Sequence, residues 1–268
     1  SSRRRHTRCL SDWSSDVCSS DLGAQSDAKT LVDIAHRHDC VAIVDAVTSL
    51  GGTPIDVDGW KIDAIYSGTQ KCLSCTPGLS PISFSDRALD VIKNRKHKVQ
   101  SWFLDLNLVM GYWGSGAKRA YHHTAPINAL YGLHEALVIL QEEGLEAAWA
   151  RHKNNHLALR AGLEAMGLKF IVDEKDRLPQ LNAVVVPEGI DEAAVRARLL
   201  NIYNLEIGAG LGALAGKVWR IGLMGNASNI NNILLCLNAL EATLSDMGHS
   251  LEQGAAAKAA NDRLNQLA

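Results

Sequence analysis

Two short apolar runs constrain this chain more than any other feature. Residues 40–46 (CVAIVDA) are apolar almost throughout and end in an aspartate, Asp45, one step before the last alanine. Residues 64–70 (AIYSGTQ) repeat the pattern and hand over directly to Lys71. Runs of this length without polar alternation predict strands buried on both faces, which is the mark of a parallel sheet. Residues 27–38 precede the first run with Leu31, Val32, Ile34 and Ala35 at helical spacing, and Ser26 or Asp27 can cap that helix. The stretch LSPISFS at 79–85 predicts a third strand of the same kind. A helix followed by buried strands implies an α/β fold with a mainly parallel sheet. Ligands of such sheets gather at the carboxyl ends of the strands, where both Asp45 and Lys71 fall.

The second half reads differently. YHHTAPINALYGLHEALVILQEEG, residues 121–144, carries a long helical pattern interrupted at Gly144, and residues 146–166 continue as helix. Then strand (181–187), helix (191–203), strand (217–225) and helix (229–247) alternate, a compact α+β module. Residues 23–144 are therefore expected to be the remnant of a large ligand-binding domain and 145–268 a small C-terminal domain. The alanine-rich tail from Gly254 is expected to be a frayed helix.

Residues 1–22 fit neither part. They are rich in Ser, Arg and Asp and lack the apolar stretch of a signal peptide. From Asp12 to Leu22 they match the translation of a common sequencing-adapter oligonucleotide. The expectation is a non-native, disordered leader, with the true N-terminal portion of the protein lying upstream of it.

Composition excludes several classes. With 47% apolar and 21% charged residues and a formal net charge of -2, nothing favours a nucleic-acid partner. No uninterrupted apolar run reaches membrane-spanning length. Six cysteines in 268 residues do not make a disulfide scaffold, which points to a cytoplasmic setting. Cys72 and Cys75 spell C-x-x-C without a second pair at zinc spacing and read as small buried fillers. His122 and His123 are adjacent, so on an extended segment they point apart, and no metal site is expected.

Lys71 stands in a stretch of small, hydroxylated and apolar residues with no carboxylate nearby in sequence. It is either a strand-end lysine whose head reaches water, or a partly desolvated amine that bonds covalently to a carbonyl compound. Asp45 is either a turn cap or a buried carboxylate awaiting a cation. The pair has one joint explanation. Pyridoxal 5'-phosphate would bond its aldehyde carbon to the lysine and keep its ring nitrogen protonated against the aspartate.

VDAVTSLGG, DAIYSGTQKCLSCTPGLSPISFS, YHHTAPINALYGLHEAL and KVWRIGLMG, in that order, resemble the class V pyridoxal-phosphate aminotransferases, in particular the alanine–glyoxylate and serine–glyoxylate branch. The resemblance runs from Gly23 to about Leu244. It implies fold type I, transamination between an α-amino acid and a 2-oxo acid such as glyoxylate, and a homodimer with shared active sites. Lys71 matches the cofactor-bearing lysine and Asp45 the partner of the ring nitrogen. Val47 matches the residue packed on one ring face, and Gln70 a phosphate contact. Tyr121 and Thr124 match residues that reach the phosphate from the other subunit, and Arg220 the arginine that binds the substrate carboxylate. A guanidinium suits that last role, since it can grip a carboxylate through two parallel hydrogen bonds.

The family's phosphate loop and ring-stacking aromatic residue have no counterpart before Gly23, so the 268-residue chain is expected to be inactive alone. Two other readings compete. A cysteine desulfurase would share the fold but needs a mobile nucleophilic cysteine, and Cys236 lies in a helical pattern. A non-catalytic binding protein could keep the dimer surface without the cofactor. The identity of the amino donor is not encoded in these residues.

Overall fold

The computed structural model describes residues 15–16, 22–113 and 120–267. The leader expected over residues 1–22 lies mostly outside these. Ser15–Asp16 (β1) nonetheless pairs in parallel with Ile43–Asp45 (β2). Ala64–Tyr66 (β3) lies parallel on the other side of β2, and Ile82–Phe84 (β4) closes the sheet in the order β1-β2-β3-β4.

Ala28–Arg37 (α1) packs on one face of this sheet. Asp27 is its cap, accepting from the Thr30 amide at 3.0 Å and from the Thr30 hydroxyl at 2.7 Å. Val32 and Ala35 of α1 pack on Val44, Ile62 and Ile65. Two expectations about the strands fail here. Successive side chains of a strand point to opposite faces, and α1 covers only the Val44 side, so Ile43 is 50% exposed and β2 is not buried on both faces. β4 is antiparallel to β3 and carries an exposed Ile82. A parallel return needs a crossover element. The 67–81 segment instead folds back on itself, with the Ser67 amide donating to Pro81 O at 2.9 Å and the Thr69 amide to Leu79 O at 3.3 Å.

Asp63, just before β3, ties this unit together. Its buried carboxylate accepts from the Ala42 amide, His36 Nε2 and Arg87 Nη1, each at 2.8 Å, and from Ser85 Oγ at 3.1 Å. Ser85 also caps Asp86–Lys93 (α2) through the Ala88 amide. Leu106–Trp113 (α3) and Ile127–Glu143 (α4) follow, and neither buries a residue.

Gly144, at φ 85, separates α4 from Leu145–Ala165 (α5) in a conformation that glycine tolerates best. Beyond it, Leu181–Val185 (β5), Gly208–Ala209 (β6) and Val218–Gly222 (β7) form an antiparallel sheet in the order β5-β7-β6. Glu192–Tyr203 (α6), Ile230–Asp246 (α7) and α5 enclose its core around Trp219, Leu163, Val184, Leu199 and Leu237. Each such buried side chain contributes about 1.5–3 kcal/mol relative to exposure.

The tail departs from expectation. Ala255–Leu267 (α8) is packed, with Ala256 and Ala260 fully buried. Small side chains let it approach α5 closely: a Cβ on Gly162 would stand 2.9 Å from Ala256 O. Glu241 of α7 accepts from the Gly254 amide at 2.6 Å and the Ala256 amide at 3.2 Å, capping α8 from a distant helix. Residues 23–25 also join the C-terminal module. Ala24 bridges Arg177, and the Gln25 amide donates to Asp176 O at 2.7 Å.

Candidate active site

Asp45 ends β2, in register opposite Tyr66 at the end of β3. Its Oδ1 accepts from the Val47 amide at 2.8 Å and its Oδ2 from the Tyr66 hydroxyl at 2.7 Å, which fixes the plane of the carboxylate. Ser67 Oγ donates back to Ala46 O at 2.9 Å, so the two strand ends are joined where they leave the sheet. Val47 is half-buried just beyond.

The 67–81 segment continues from that junction. The Cys75 amide donates to Thr69 O and the Ser74 amide to Lys71 O, both at 3.0 Å. The tight turn this makes holds Ser74 at φ 59. Lys71 is half-buried in it, and its ammonium makes no hydrogen bond or ion pair among the described residues. Cys72 Sγ donates to Thr48 O at 3.2 Å, which ties the residue after Lys71 to the loop after Asp45. Gln70 is exposed, and its side chain folds over Gly68, where a Cβ would meet Oε1 at 2.7 Å.

The C-terminal module docks on this same segment. Gly225 follows β7 at φ 54, and a Cβ there would stand 2.1 Å from Ser74 Oγ and 3.2 Å from Lys71 O. The Asn226 amide donates to Ser74 Oγ at 2.9 Å. Gln180 Nε2 reaches Thr53 Oγ1 at 2.6 Å, while Gln180 O accepts from the Leu223 amide at 2.8 Å. Arg220 lies in the centre of β7, opposite both Ala183 and Gly208. Its Nε donates to Ala209 O at 2.7 Å, which orients the guanidinium. The Lys71 turn and the strand of Arg220 are thus held together through one short turn.

Tyr121 and Thr124 are placed elsewhere. Both are exposed, their hydroxyls bond each other, and neither hydrogen-bonds the Asp45–Lys71 rim among the described residues. Tyr121 meets Tyr112 edge-on at 6.0 Å between ring centroids. The neighbouring histidines do not point apart as expected. His122 and His123 bring their Nδ1 atoms to 2.6 Å because the segment turns there and His122 stacks on Trp102. Among the described residues no group of three His, Cys, Asp or Glu side chains could hold a metal.

Cys72 is buried and Cys75 half-buried, both as free thiols. Burial pushes the Cys236 thiol up to about 12, which removes it as a nucleophile at neutral pH. A cleft of about 550 Å³ lined by Gly52, Thr53, Trp149, His156, Arg160 and Arg177 includes neither Asp45 nor Lys71.

Several residues that build the site carry no sequence signal read above. Tyr66 could have been found from the matched ends of the two apolar runs, which place it beside Asp45. Gln180 and Gly225 hold the modules together over long sequence separations, and no local pattern marks them.

The donor set suits pyridoxal phosphate. An amine without a counter-ion among the described residues suits an aldehyde, and an oriented carboxylate suits a protonated ring nitrogen.

The class-V aminotransferase family profile matches residues 14–229. The chain is 38% identical over 252 residues to the (S)-ureidoglycine–glyoxylate transaminase of Bacillus subtilis (strain 168), covering 87% of this chain and 60% of that protein. It is 42% identical over 214 residues to the alanine–glyoxylate aminotransferase of Callithrix jacchus, covering 79% of this chain and 52% of the relative. Among solved structures, the ureidoglycine–glyoxylate aminotransferase from Bacillus subtilis superposes with a TM-score of 0.89 at 39% identity, over 93% of this chain and 64% of that one. The chain therefore spans about half to two thirds of the length of these relatives.

Proposed function

Since the chain belongs to the class V aminotransferases, a family of pyridoxal-phosphate enzymes of fold type I, we propose that the whole protein moves an amino group from a small α-amino acid such as alanine or serine to a 2-oxo acid, with glyoxylate as acceptor. Glyoxylate is shared by the names of relatives that differ in amino donor. The observation that carries the proposal is half-buried Lys71, whose amine has no counter-ion among the described residues, on the rim where Asp45 is held by Val47 and Tyr66.

Pyridoxal phosphate, when bound, supplies the electron sink that lets a Cα–H bond break. The residues of this chain do the rest. Arg220, fixed through Nε to Ala209 O, grips the substrate's α-carboxylate and so orients its Cα. Lys71 Nζ takes the Cα proton as general base and then delivers a proton as general acid. Asp45 would keep a protonated ring nitrogen charged, with the Val47 amide and the Tyr66 hydroxyl among the donors that orient it. Val47 would pack on a face of the ring and Gln70 would hold the phosphate.

Tyr121 and Thr124 are assigned to the phosphate of a second subunit. A homodimer is supported by α4, whose Ile127, Tyr131 and Ile139 are each more than half exposed and would be covered by a partner. Among the described residues no helix is long and apolar enough to cross a membrane.

The desulfurase reading loses its nucleophile through the burial of Cys236. Lys71→Ala in the whole protein tests the assignment. Turnover should fall by at least about 10²–10⁴-fold, the range of general acid–base catalysis, with secondary structure by circular dichroism unchanged. Turnover near wild type would end the proposal.

A further inference from the structure

One cluster of buried and half-buried polar groups lies outside the residues assigned above, yet touches the turn that joins them. On α5, three side chains on neighbouring turns face the 225–228 segment that follows β7. Arg151 Nη1 donates to Gly225 O at 2.8 Å and to Ser228 O at 2.9 Å. His152 Nε2 accepts from the Gly225 amide at 2.9 Å, while its Nδ1 side meets Ala148 O at 2.6 Å. Asn155 Nδ2 donates to Ser228 O at 2.8 Å and Ser228 Oγ at 3.1 Å. Glu143, the last residue of α4, fixes the Arg151 guanidinium from behind at 2.5 and 2.8 Å.

His152 is fully buried, and burial holds its pKa down, so the ring is neutral. One nitrogen donates to a carbonyl and the other accepts an amide, which satisfies both. Both backbone polar groups of Gly225 are thereby bonded to side chains of α5. The same glycine faces the other way onto the Lys71 turn. Its missing Cβ is what leaves room for Ser74 Oγ and Lys71 O.

We propose that Arg151, His152 and Asn155 are positioning residues that clamp the 225–228 turn and, through its contact with Ser74, set the Lys71 amine relative to Arg220. The inference rests on the roles given above to Lys71 and Arg220. It adds the element that fixes the distance between them. Arg220 itself is held by ladder bonds to β5 and β6 on either side, so loosening the clamp displaces the Lys71 turn and leaves the carboxylate grip in place.

The test compares His152→Phe, which keeps a ring but removes the acceptor, with His152→Gln, whose Oε1 can take the Gly225 amide. Both are made in the whole protein. Hydrogen exchange followed by mass spectrometry is read on peptides covering 69–76 and 222–229, and kcat is normalised to lysine-bound cofactor counted by its absorbance. In His152→Phe both peptides should exchange faster by about tenfold or more, the signature of local opening. The normalised kcat should fall about 10–100-fold, the scale of a small misplacement of reacting groups, while KM for the amino donor changes less than about threefold. His152→Gln should restore most of both. Faster exchange confined to 222–229, or a lower melting temperature with unchanged normalised kcat, would overturn the clamp. If wild type itself shows no turnover while both peptides respond, the transaminase assignment fails and the coupling of the two segments stands.

Discussion

Asp63→Asn should be among the most damaging isosteric changes outside the active site. The carboxylate accepts four hydrogen bonds, from the Ala42 amide, His36, Ser85 and Arg87. Asparagine keeps the shape but turns one acceptor into an amino group facing donors. Orphaning a buried donor costs about 1–3 kcal/mol, and removing the charge from a buried ion pair about 3–5 kcal/mol. Arg87 can rehydrate in part, because its side chain is 37% exposed. The Ala42 amide cannot, since Ala42 is buried. The net loss should be about 3–4 kcal/mol at pH 7, read as the shift in midpoint of urea unfolding at constant slope.

The pH dependence carries a definite sign. Burial works to raise the Asp63 pKa, but the Ala42 amide, His36, Arg87 and Ser85 outweigh it, and the folded carboxyl lies below its ordinary value. A group depressed in this way stabilises the fold fully above its unfolded pKa and loses that contribution as pH falls through the folded value. The gap between wild type and Asp63→Asn should therefore be complete above about pH 5 and close on acidification below about pH 4. A gap under about 1 kcal/mol at pH 7, or one that widens in acid, would refute this account of the carboxylate.

Other outcomes follow from single contacts. Gly162→Ala places a Cβ 2.4 Å from Leu237 Cδ1 and 2.9 Å from Ala256 O, so it should destabilise by about 1–3 kcal/mol through overpacking, with protection lost first in α8 by hydrogen exchange. Glu241→Ala removes the cap on α8 and should cost about 0.5–2 kcal/mol. If the melting temperature is unchanged, the helix does not depend on that carboxylate. Cys236, buried and with its thiol pushed up to about 12, should resist alkylation in native buffer and react only on unfolding. Native labelling at Cys236 would reopen the desulfurase reading.

The strand that ends in Asp45 and the one that leads toward Lys71 were legible from apolar residues and a polar stop, although β3 ends at Tyr66 and Lys71 lies in the turn beyond it. Asp27 announced its helix because capping chemistry is local. Direction was not legible for β4. It depends on the 67–81 segment folding back instead of crossing over, and such a path leaves no periodicity. The tail misled because alanine is read as weak packing material, whereas here its size is what allows α8 to lie against Gly162. The Asp45–Tyr66 bond was half visible in the matched ends of the two apolar runs. The α5 clamp was invisible, since Arg151 and His152 meet Gly225 across more than seventy residues.

Everything proposed for this site depends on the Lys71 amine holding the cofactor. Borohydride reduction of the whole protein with pyridoxal phosphate, followed by peptide mass spectrometry, tests it directly. A pyridoxyl group should be found on Nζ of Lys71. The label on a different lysine, or on none, would contradict it.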